Sequence, residues 1–443
     1  MQTNKGKYLT ITYGCQMSEH DSERIAGMLE GMGYVRAQDE EDADVIMVST
    51  CTVRDSADQK IWGKLGELKK LKARRPHVVL GLSGCMVQAP GVAGRLAERA
   101  PYLDVVLGTH NLNRLPALLE QARQEKRQAL EIWDEPQATF DDLPTRHTSR
   151  FQAYVDIMYG CNHHCSFCIV PAVRGRQRDR APAAVVQEVK DLVAKGYKEV
   201  TLLGQNVNAY GRTLPERYDF ADLLRDVNAT GIPRIRFTSP HPLNFSPRVI
   251  EAMAESEHVC EHVHLPLQAG SDRVLRAMRR GYTQKRYLDL VEALRSAIPG
   301  IAITTDIIVG FPGETEDDFQ KTLEVVAKAQ LDGAFTFLYS PRTGTPAAAM
   351  PQVPDAVKHD RLDRLNALQN SISRQVNEKL VGQTVEVLVE GTSKTNAAHL
   401  EGRTRTNKIV IFDGPQELAG RLVPVRITAA QTFYLIGEMI ASA

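Results

Sequence analysis

The segment Cys161-Asn162-His163-His164-Cys165-Ser166-Phe167-Cys168 packs three thiols into eight residues. Spacings of four and three let one tight loop wrap three thiolates around a single centre. A closed structural zinc site needs a fourth ligand. His163 and His164 are the near candidates, but they lie inside the ligand loop, where reaching the same metal is strained. An iron–sulfur cluster is normally held by four cysteines, so three leave one iron open to a substrate or cofactor. Three further cysteines, Cys15, Cys51 and Cys85, share no local motif. Each follows a strand candidate: Tyr8–Tyr13, Asp44–Ser49 and Val78–Leu82. In a parallel sheet those carboxyl ends share one edge, so the thiols are expected to converge on a second open-sited centre. Gly14 and Gly84 precede two of them and ease the tight turns. The seventh, Cys260, has Glu261, His262 and His264 close by but no convincing ligand set, and reads as a buried core thiol.

The elements that must position these residues follow from periodicity. Through residue 122, short apolar runs, with Asp104–Leu107 as the fourth, alternate with helical patterns at His20–Met32, Ala57–Ala73 and Asn113–Ala122. Such alternation implies βαβ units and a parallel sheet. Asp21-Ser22-Glu23 reads as the capped start of the first helix and Gly33 as its stop. Asp134 to Ser149 reads as a linker. Six more strand candidates follow: Ala153–Met158, Glu199–Leu203, Ile235–Thr238, Val263–Leu267, Ile303–Val309 and Ala334–Leu338. Helical patterns such as Ala183–Lys195 and Asp317–Ala329 separate them, which favours a partial (β/α)6 barrel over an open sheet. A long helix from Asp355 to about Lys379 precedes five short strands, Thr384–Val389, Ala398–Gly402, Ile409–Phe412, Leu422–Ile427 and Thr432–Ile436, expected to form a small antiparallel barrel. The fold class is therefore α/β and multidomain, with boundaries expected at 5–122, 147–377 and 378–443. Catalytic residues at strand carboxyl ends are the rule in such barrels.

Composition sets limits. The 443 residues carry 54 basic and 54 acidic side chains, hence zero formal charge. That disfavours broad adhesion to nucleic acid but leaves local basic patches open. Seven scattered cysteines do not form a disulfide framework. Residues 1–15 lack the apolar run of a signal peptide, and no apolar stretch approaches the ~18 residues of a membrane span. A cytoplasmic protein without membrane contact is expected, and in that compartment clustered cysteines are metal ligands or catalysts.

The three-cysteine loop, with Phe167 just before the third thiol, resembles the radical S-adenosylmethionine superfamily. The resemblance implies a [4Fe–4S] cluster on Cys161, Cys165 and Cys168 whose open iron binds S-adenosylmethionine. It also implies cofactor contacts at Gly204 and Gln205 after the second barrel strand, and at Gly310 and Gly313 after the fifth. A narrower resemblance, to the methylthiotransferases, rests on several segments. These are Gly14-Cys15-Gln16-Met17, Asp21-Ser22-Glu23, Thr50-Cys51-Thr52-Val53-Arg54, Gly84-Cys85-Met86 and Gln205-Asn206-Val207-Asn208-Ala209-Tyr210. Thr305 to Glu314 and Tyr339-Ser340-Pro341-Arg342 add to it. Ser18, Ser49 and Ala269 depart from the usual family residues, His163 and His164 sit in the cluster loop, and Pro171 to Gly175 lacks a usual aromatic.

This resemblance implies two [4Fe–4S] clusters and two S-adenosylmethionine molecules per turnover. One molecule methylates a sulfur held at Cys15, Cys51 and Cys85. The other is reductively cleaved at Cys161, Cys165 and Cys168 to the radical that opens C2 of an adenine. The narrowest match is to members acting on isopentenyladenosine beside the anticodon of tRNA, at position 37. Siblings that modify a ribosomal protein aspartate or threonylcarbamoyladenosine in tRNA are alternatives. A zinc protein that only binds RNA is the alternative of a different class. Implied partners are a tRNA anticodon stem-loop and a reducing electron-transfer protein, with the chain a monomer. The terminal barrel resembles the TRAM domain, an RNA-binding module. Lys394, Arg403, Arg405 and Lys408 form its basic cluster, Arg174, Arg176, Arg178 and Arg180 a second beside the radical cluster, and Lys69, Lys70, Lys72, Arg74 and Arg75 a third. Each is a candidate phosphate contact, although the third equally complements a helix dipole. His241, between Pro240 and Pro242, is a candidate to line the site. Trp62 and Trp133 read as packing residues.

Overall fold

The computed structural model describes residues 5–52, 55–136, 143–394 and 396–440. Val53 and Arg54 of the second cysteine segment, the middle of the linker and the last three residues lie outside them. The first unit is a parallel sheet in the order Val35–Arg36, Lys7–Tyr13, Val45–Thr50, Val79–Gly84, Val105–Leu107, Ala129–Glu131. The four expected strands form its centre. Ala129–Glu131, not expected, carries the sheet past residue 122. The two central strands are buried along their whole length, because helices cover both faces. Ile25, Met47 and Leu115 fill one face, and Ile46, Ile61 and Leu80 fill the other.

The first helix departs from expectation. It runs Gln16–Gly31 and starts directly after Cys15, which occupies the N-cap without a side-chain cap bond. Asp21, Ser22 and Glu23 are not caps but buried residues inside the helix. Their polar groups are tolerated there because each is bonded across to another element. Asp21 accepts from Arg174, the Ser22 hydroxyl meets that of Thr12, and Glu23 accepts from the Thr148 amide. Gly33, at φ +95°, does end the helical turn as expected. Gly27 on the same helix admits the linker: a Cβ there would stand 2.2 Å from the Pro144 carbonyl oxygen.

The central unit places six parallel strands in chain order: Gln152–Asp156, Glu199–Leu203, Arg234–Phe237, His262–His264, Ala302–Val309 and Gly333–Leu338. A bridge between Ile235 and Val259 joins the first three to the last three. Among the described residues nothing pairs the first strand with the sixth, so the barrel is incomplete, as anticipated. Helices Pro182–Ala194, Phe220–Asn228, Gln284–Ala297 and Glu316–Ala329 pack outside it. One short antiparallel pair, Met158–Tyr159 with Arg178–Asp179, closes the neck of the loop that carries Cys161, Cys165 and Cys168.

The terminal unit is a closed five-stranded barrel of Thr384–Thr392, Leu400–Thr404, Ile409–Phe412, Leu435–Met439 and Leu422–Ala430. It is not wholly antiparallel: Ile409–Phe412 and Leu435–Met439 run parallel. The crossing strand lets five strands close around Val389, Val410, Val425 and Leu435. No helix among the described residues is long and apolar enough to cross a membrane.

Candidate active site

The loop after the first barrel strand is built to hold three inward thiols. The Cys161 amide donates to the Gly175 carbonyl at 3.2 Å, and the Cys168 amide to the Cys165 carbonyl at 3.1 Å. The His163 amide donates to the Cys161 sulfur at 3.4 Å. Burial pushes the Cys161 thiol up and the Cys168 thiol to about 12, with neighbouring thiols adding to both shifts. A set of this kind, with Cys165 buried and Cys161 and Cys168 half-buried, becomes thiolate when a metal centre takes the protons' place. His163 turns away from the thiols: its ring stacks on His241 at 4.1 Å and pairs with the Asn244 amide at 2.9 Å.

Cys15, Cys51 and Cys85 come together at the carboxyl edge of the first sheet, as the strand phase required. Cys15 and Cys51 are hydrogen bonded, and that bond chiefly pulls the Cys15 thiol down to about 5 against its burial, with Arg174 helping. Burial pushes Cys85 up, opposed by Arg174, whose Nε donates to the Cys85 sulfur at 3.1 Å. Ser18 and Ser49 brace this edge: Ser18 lies 3.9 Å from the Cys15 sulfur, and the Ser49 hydroxyl donates to the Ser18 carbonyl at 3.3 Å. Cys85 packs directly on Ile169 and Val173, just past the radical loop, so the two cysteine sites meet across the domain interface. Cys260 is a buried thiol pushed up by burial.

Beside them lies a cavity of 1780 Å³ walled by all three units. Gln16 and Glu19 enter it from the first helix, Cys165, Phe167 and Cys168 from the radical loop, and Lys394, Arg403 and Asn407 from the terminal barrel. Gln205, His241 and Gln268 also line it, and each keeps one buried polar atom without a partner (Nε2, Nε2 and Oε1). Buried orphans of this kind mark places where a polar ligand completes the hydrogen bonding. Gln268 and Ser239, both on the wall, adopt φ of +67° and +57°. Such strain is characteristic of ligand clamps. Gly204, Gly310 and Gly313 are not on the wall. Gly204 faces Met158, and Gly313 accepts from Arg273 through its carbonyl. Gly310, at φ +71°, is crossed by the Lys358 side chain. The donor sets fit two three-thiolate clusters, and the orphaned atoms fit a polar cofactor in the cavity beside Cys165 and Cys168.

Sequence reasoning missed three features here. Arg280 is buried on the cavity wall and donates to the Cys165 sulfur at 3.4 Å. Buried Arg234 and Arg236 fasten the terminal barrel to the third barrel strand through Glu386, Thr404 and the carbonyls of Arg403 and Arg405. A lone arginine in a short strand carries no signal of such a role.

The third feature is a hub of His20, Glu23 and His147, the group of metal-capable side chains whose ligand atoms lie within 4.8 Å of one another among the described residues. The Glu23 Oε2 already accepts from both rings, at 3.2 and 3.1 Å, so the group is a hydrogen-bonded clasp between helix and linker. Burial alone would raise the Glu23 carboxyl, but His147 and His20 hold it at about 2. A depressed carboxylate stabilises the fold above its unfolded value of 4.5, and that contribution is lost as pH falls toward 2. The difference in urea midpoint between the wild type and Glu23→Gln, measured on the iron-free chain, should therefore be present above pH 4.5. It should shrink progressively below pH 4.5.

The basic clusters are largely not free for phosphate. Arg174 and Arg180 are buried, paired with Asp21 and Glu188, while Arg178 lies over the Tyr159 ring. Arg405 is bound to Glu261 and Lys408 to Asp332, both fastening the terminal barrel. Lys72 pairs with Asp104 and Arg74 with Glu41. Lys394 does face the cavity, as does Arg403, which is paired there with Glu390 at 3.1 Å. Sequence proximity identified the charge but not its partners, which come from distant elements.

Three family models match the chain: the uncharacterized protein family UPF0004 over residues 7–108, the radical SAM superfamily over 155–326 and the TRAM domain over 378–440. Among solved structures, the radical S-adenosylmethionine methyltransferase TsrM from Kitasatospora setae shares the fold at 14% identity. Its TM-score is 0.56, over 77% of each chain. The cobalamin-dependent radical enzyme OxsB follows at 11% identity and TM-score 0.52, over 83% of this chain and 56% of that one. Curated relatives are far closer. The tRNA-2-methylthio-N(6)-dimethylallyladenosine synthase of Moorella thermoacetica is 55% identical, covering 97% of both chains. That of Carboxydothermus hydrogenoformans is 51% identical over 98% of this chain and 99% of its own. On this near-full-length identity, the chain belongs to the tRNA-2-methylthio-N(6)-dimethylallyladenosine synthase family.

Proposed function

We propose that this chain is a radical S-adenosylmethionine enzyme that places a methylthio group on C2 of N6-isopentenyladenosine at position 37 of tRNA. The observation that carries the reading is the cavity shared by all three units, with Cys165 and Cys168 opening into it and the second thiol set packed directly behind. An unactivated aromatic C–H offers no useful acidity, so the cofactors carry the difficult chemistry. When bound, the cluster at Cys161, Cys165 and Cys168 supplies reductive cleavage of S-adenosylmethionine, and that at Cys15, Cys51 and Cys85 holds the sulfur to be methylated.

The chain's own residues do the rest. Gln205, His241 and Gln268 offer unsatisfied polar atoms to orient the polar cofactor and the base. Gln205 is itself fixed by the Gly160 amide at the root of the cluster loop. Phe167, edge-on to Phe311 at 6.5 Å, closes an apolar side that excludes water. Lys394 places cationic charge at the barrel side of the cavity, suited to RNA phosphates. The division 5–122, 147–377 and 378–443 belongs to this reading, with the first unit extended to include Ala129–Glu131. A low-potential electron-transfer protein as reductant, a monomeric chain and a cytoplasmic location complete it.

Mass spectrometry of tRNA nucleosides from a deletion strain is the test. Loss of 2-methylthio-N6-isopentenyladenosine, with accumulation of N6-isopentenyladenosine, is expected. Loss of a methylthiolated threonylcarbamoyladenosine or of a ribosomal protein modification instead would assign the chain to a sibling. Metal analysis of the anaerobically reconstituted chain should give about eight irons with matching sulfide. Stoichiometric zinc without sulfide would remove the radical chemistry altogether.

A further inference from the structure

Arg174 reaches the second cysteine set from the radical loop's own exit helix, Val170–Arg174. It is 5% exposed. Its Nε donates to the Cys85 sulfur at 3.1 Å, while Nη2 donates to Asp21 Oδ2 at 2.6 Å. The helix is pinned from the first unit as well, by the Thr109 hydroxyl on the Val173 carbonyl and by Ile169 and Val173 packed on Cys85. The guanidinium therefore stands six residues beyond Cys168 in sequence and in hydrogen-bond contact with the other cysteine set.

We infer that Arg174 is a positioning residue for the second cluster, holding Cys85 in place and setting the charge around that cluster, with Asp21 as its counterweight. The inference rests on Cys15, Cys51 and Cys85 being cluster ligands. Three thiolates and the Asp21 carboxylate gather negative charge in a buried place, and Arg174 offsets it. A cation and an N–H donor on a ligand sulfur favour the more negative, reduced cluster, which raises its potential. Asp21 acts in the opposite sense, both by its charge and by drawing on the same guanidinium. Because Arg174 and Cys168 share one short segment, the same residue ties the register of the radical loop to the second site.

The opposed signs make the test. In the full chain carrying Cys161→Ala, Cys165→Ala and Cys168→Ala, reconstituted anaerobically, about four irons should remain. A redox titration followed by EPR then reads that cluster alone. R174Q should shift the reduction equilibrium about tenfold toward the oxidised form, about 59 mV for a one-electron couple. R174K should fall between R174Q and the parent. D21N should shift the equilibrium the other way. Unchanged potentials in both R174Q and D21N, or shifts of the same sign, would overturn the inference, since a purely structural pair loosens the site alike from either end. Where R174Q fails to hold iron, the sign of the D21N shift decides. A parent that holds no iron refutes instead the assignment of Cys15, Cys51 and Cys85.

Discussion

Replacing Cys161, Cys165 and Cys168 together with Ala is expected to abolish 5′-deoxyadenosine formation, whereas replacing Cys15, Cys51 and Cys85 should leave it measurable while ending sulfur insertion. The reason is positional. The first triple lies on a loop whose neck is closed by Met158–Tyr159 and Arg178–Asp179, within the barrel unit. That unit has its own main core of helices on strands, and of its buried residues only Tyr159 and Leu203 are shared with the core on one face of the first sheet. Loss of the second triple therefore leaves the radical loop folded. The converse also holds, since most of the first sheet's burial lies in cores made of its own residues on its two faces. The product assays are chromatographic quantification of deoxyadenosine and mass spectrometry of the RNA. The deoxyadenosine signal should fall to background, because no protein acid or base can substitute for the electron that the cluster supplies. Identical behaviour of both triples, at matched iron content in the untouched site, would remove the division of roles.

The separation of the two triples is legible in the sequence because cysteine phase relative to strands is a geometric quantity. Cys15, Cys51 and Cys85 each follow a strand that pairs in parallel, and parallel register alone carries the residues beyond Tyr13, Thr50 and Gly84 to one edge. The order of the six barrel strands was equally accessible, since consecutive βα units leave few topologies. What escaped was the fate of polar residues. Asp21-Ser22-Glu23 has the composition of a cap, yet the helix begins at Gln16 and buries all three. Local propensity lost to partners more than a hundred residues away, Arg174 for Asp21 and His147 for Glu23. The same holds for Arg405 and Lys408, which read as an RNA patch and prove to be fasteners for the terminal barrel. Charge that pairs across domains has no signature in a local window, whereas charge facing a cavity and charge facing a carboxylate look alike in sequence.

Those fasteners lead to the second large effect. Arg236→Met should destabilise the chain by about 3–5 kcal/mol and weaken tRNA binding more than it weakens S-adenosylmethionine cleavage. The Arg236 Nε donates to Glu199 at 2.8 Å, and its two Nη groups donate to the Arg405 and Thr404 carbonyls at 3.0 and 2.8 Å. Glu199 is 4% exposed. Methionine matches the stem of arginine but leaves that carboxylate buried, with Gln152 as its remaining donor at 3.0 Å. An uncompensated buried charge is the costly outcome of breaking such a pair, more than loss of the pair's own attraction. The double variant Arg236→Met, Glu199→Gln should recover most of the stability, because the stranded charge is gone. It should not recover RNA affinity, because the Thr404 and Arg405 carbonyls still lack the Arg236 donors and the barrel has lost one of its fasteners beside the cavity, where Lys394 is placed. Denaturant midpoints and RNA titrations of the two variants separate these effects. Recovery of both properties together would show that the arginine serves the carboxylate alone, and that the barrel is held by Arg234, Arg405 and Lys408 without it.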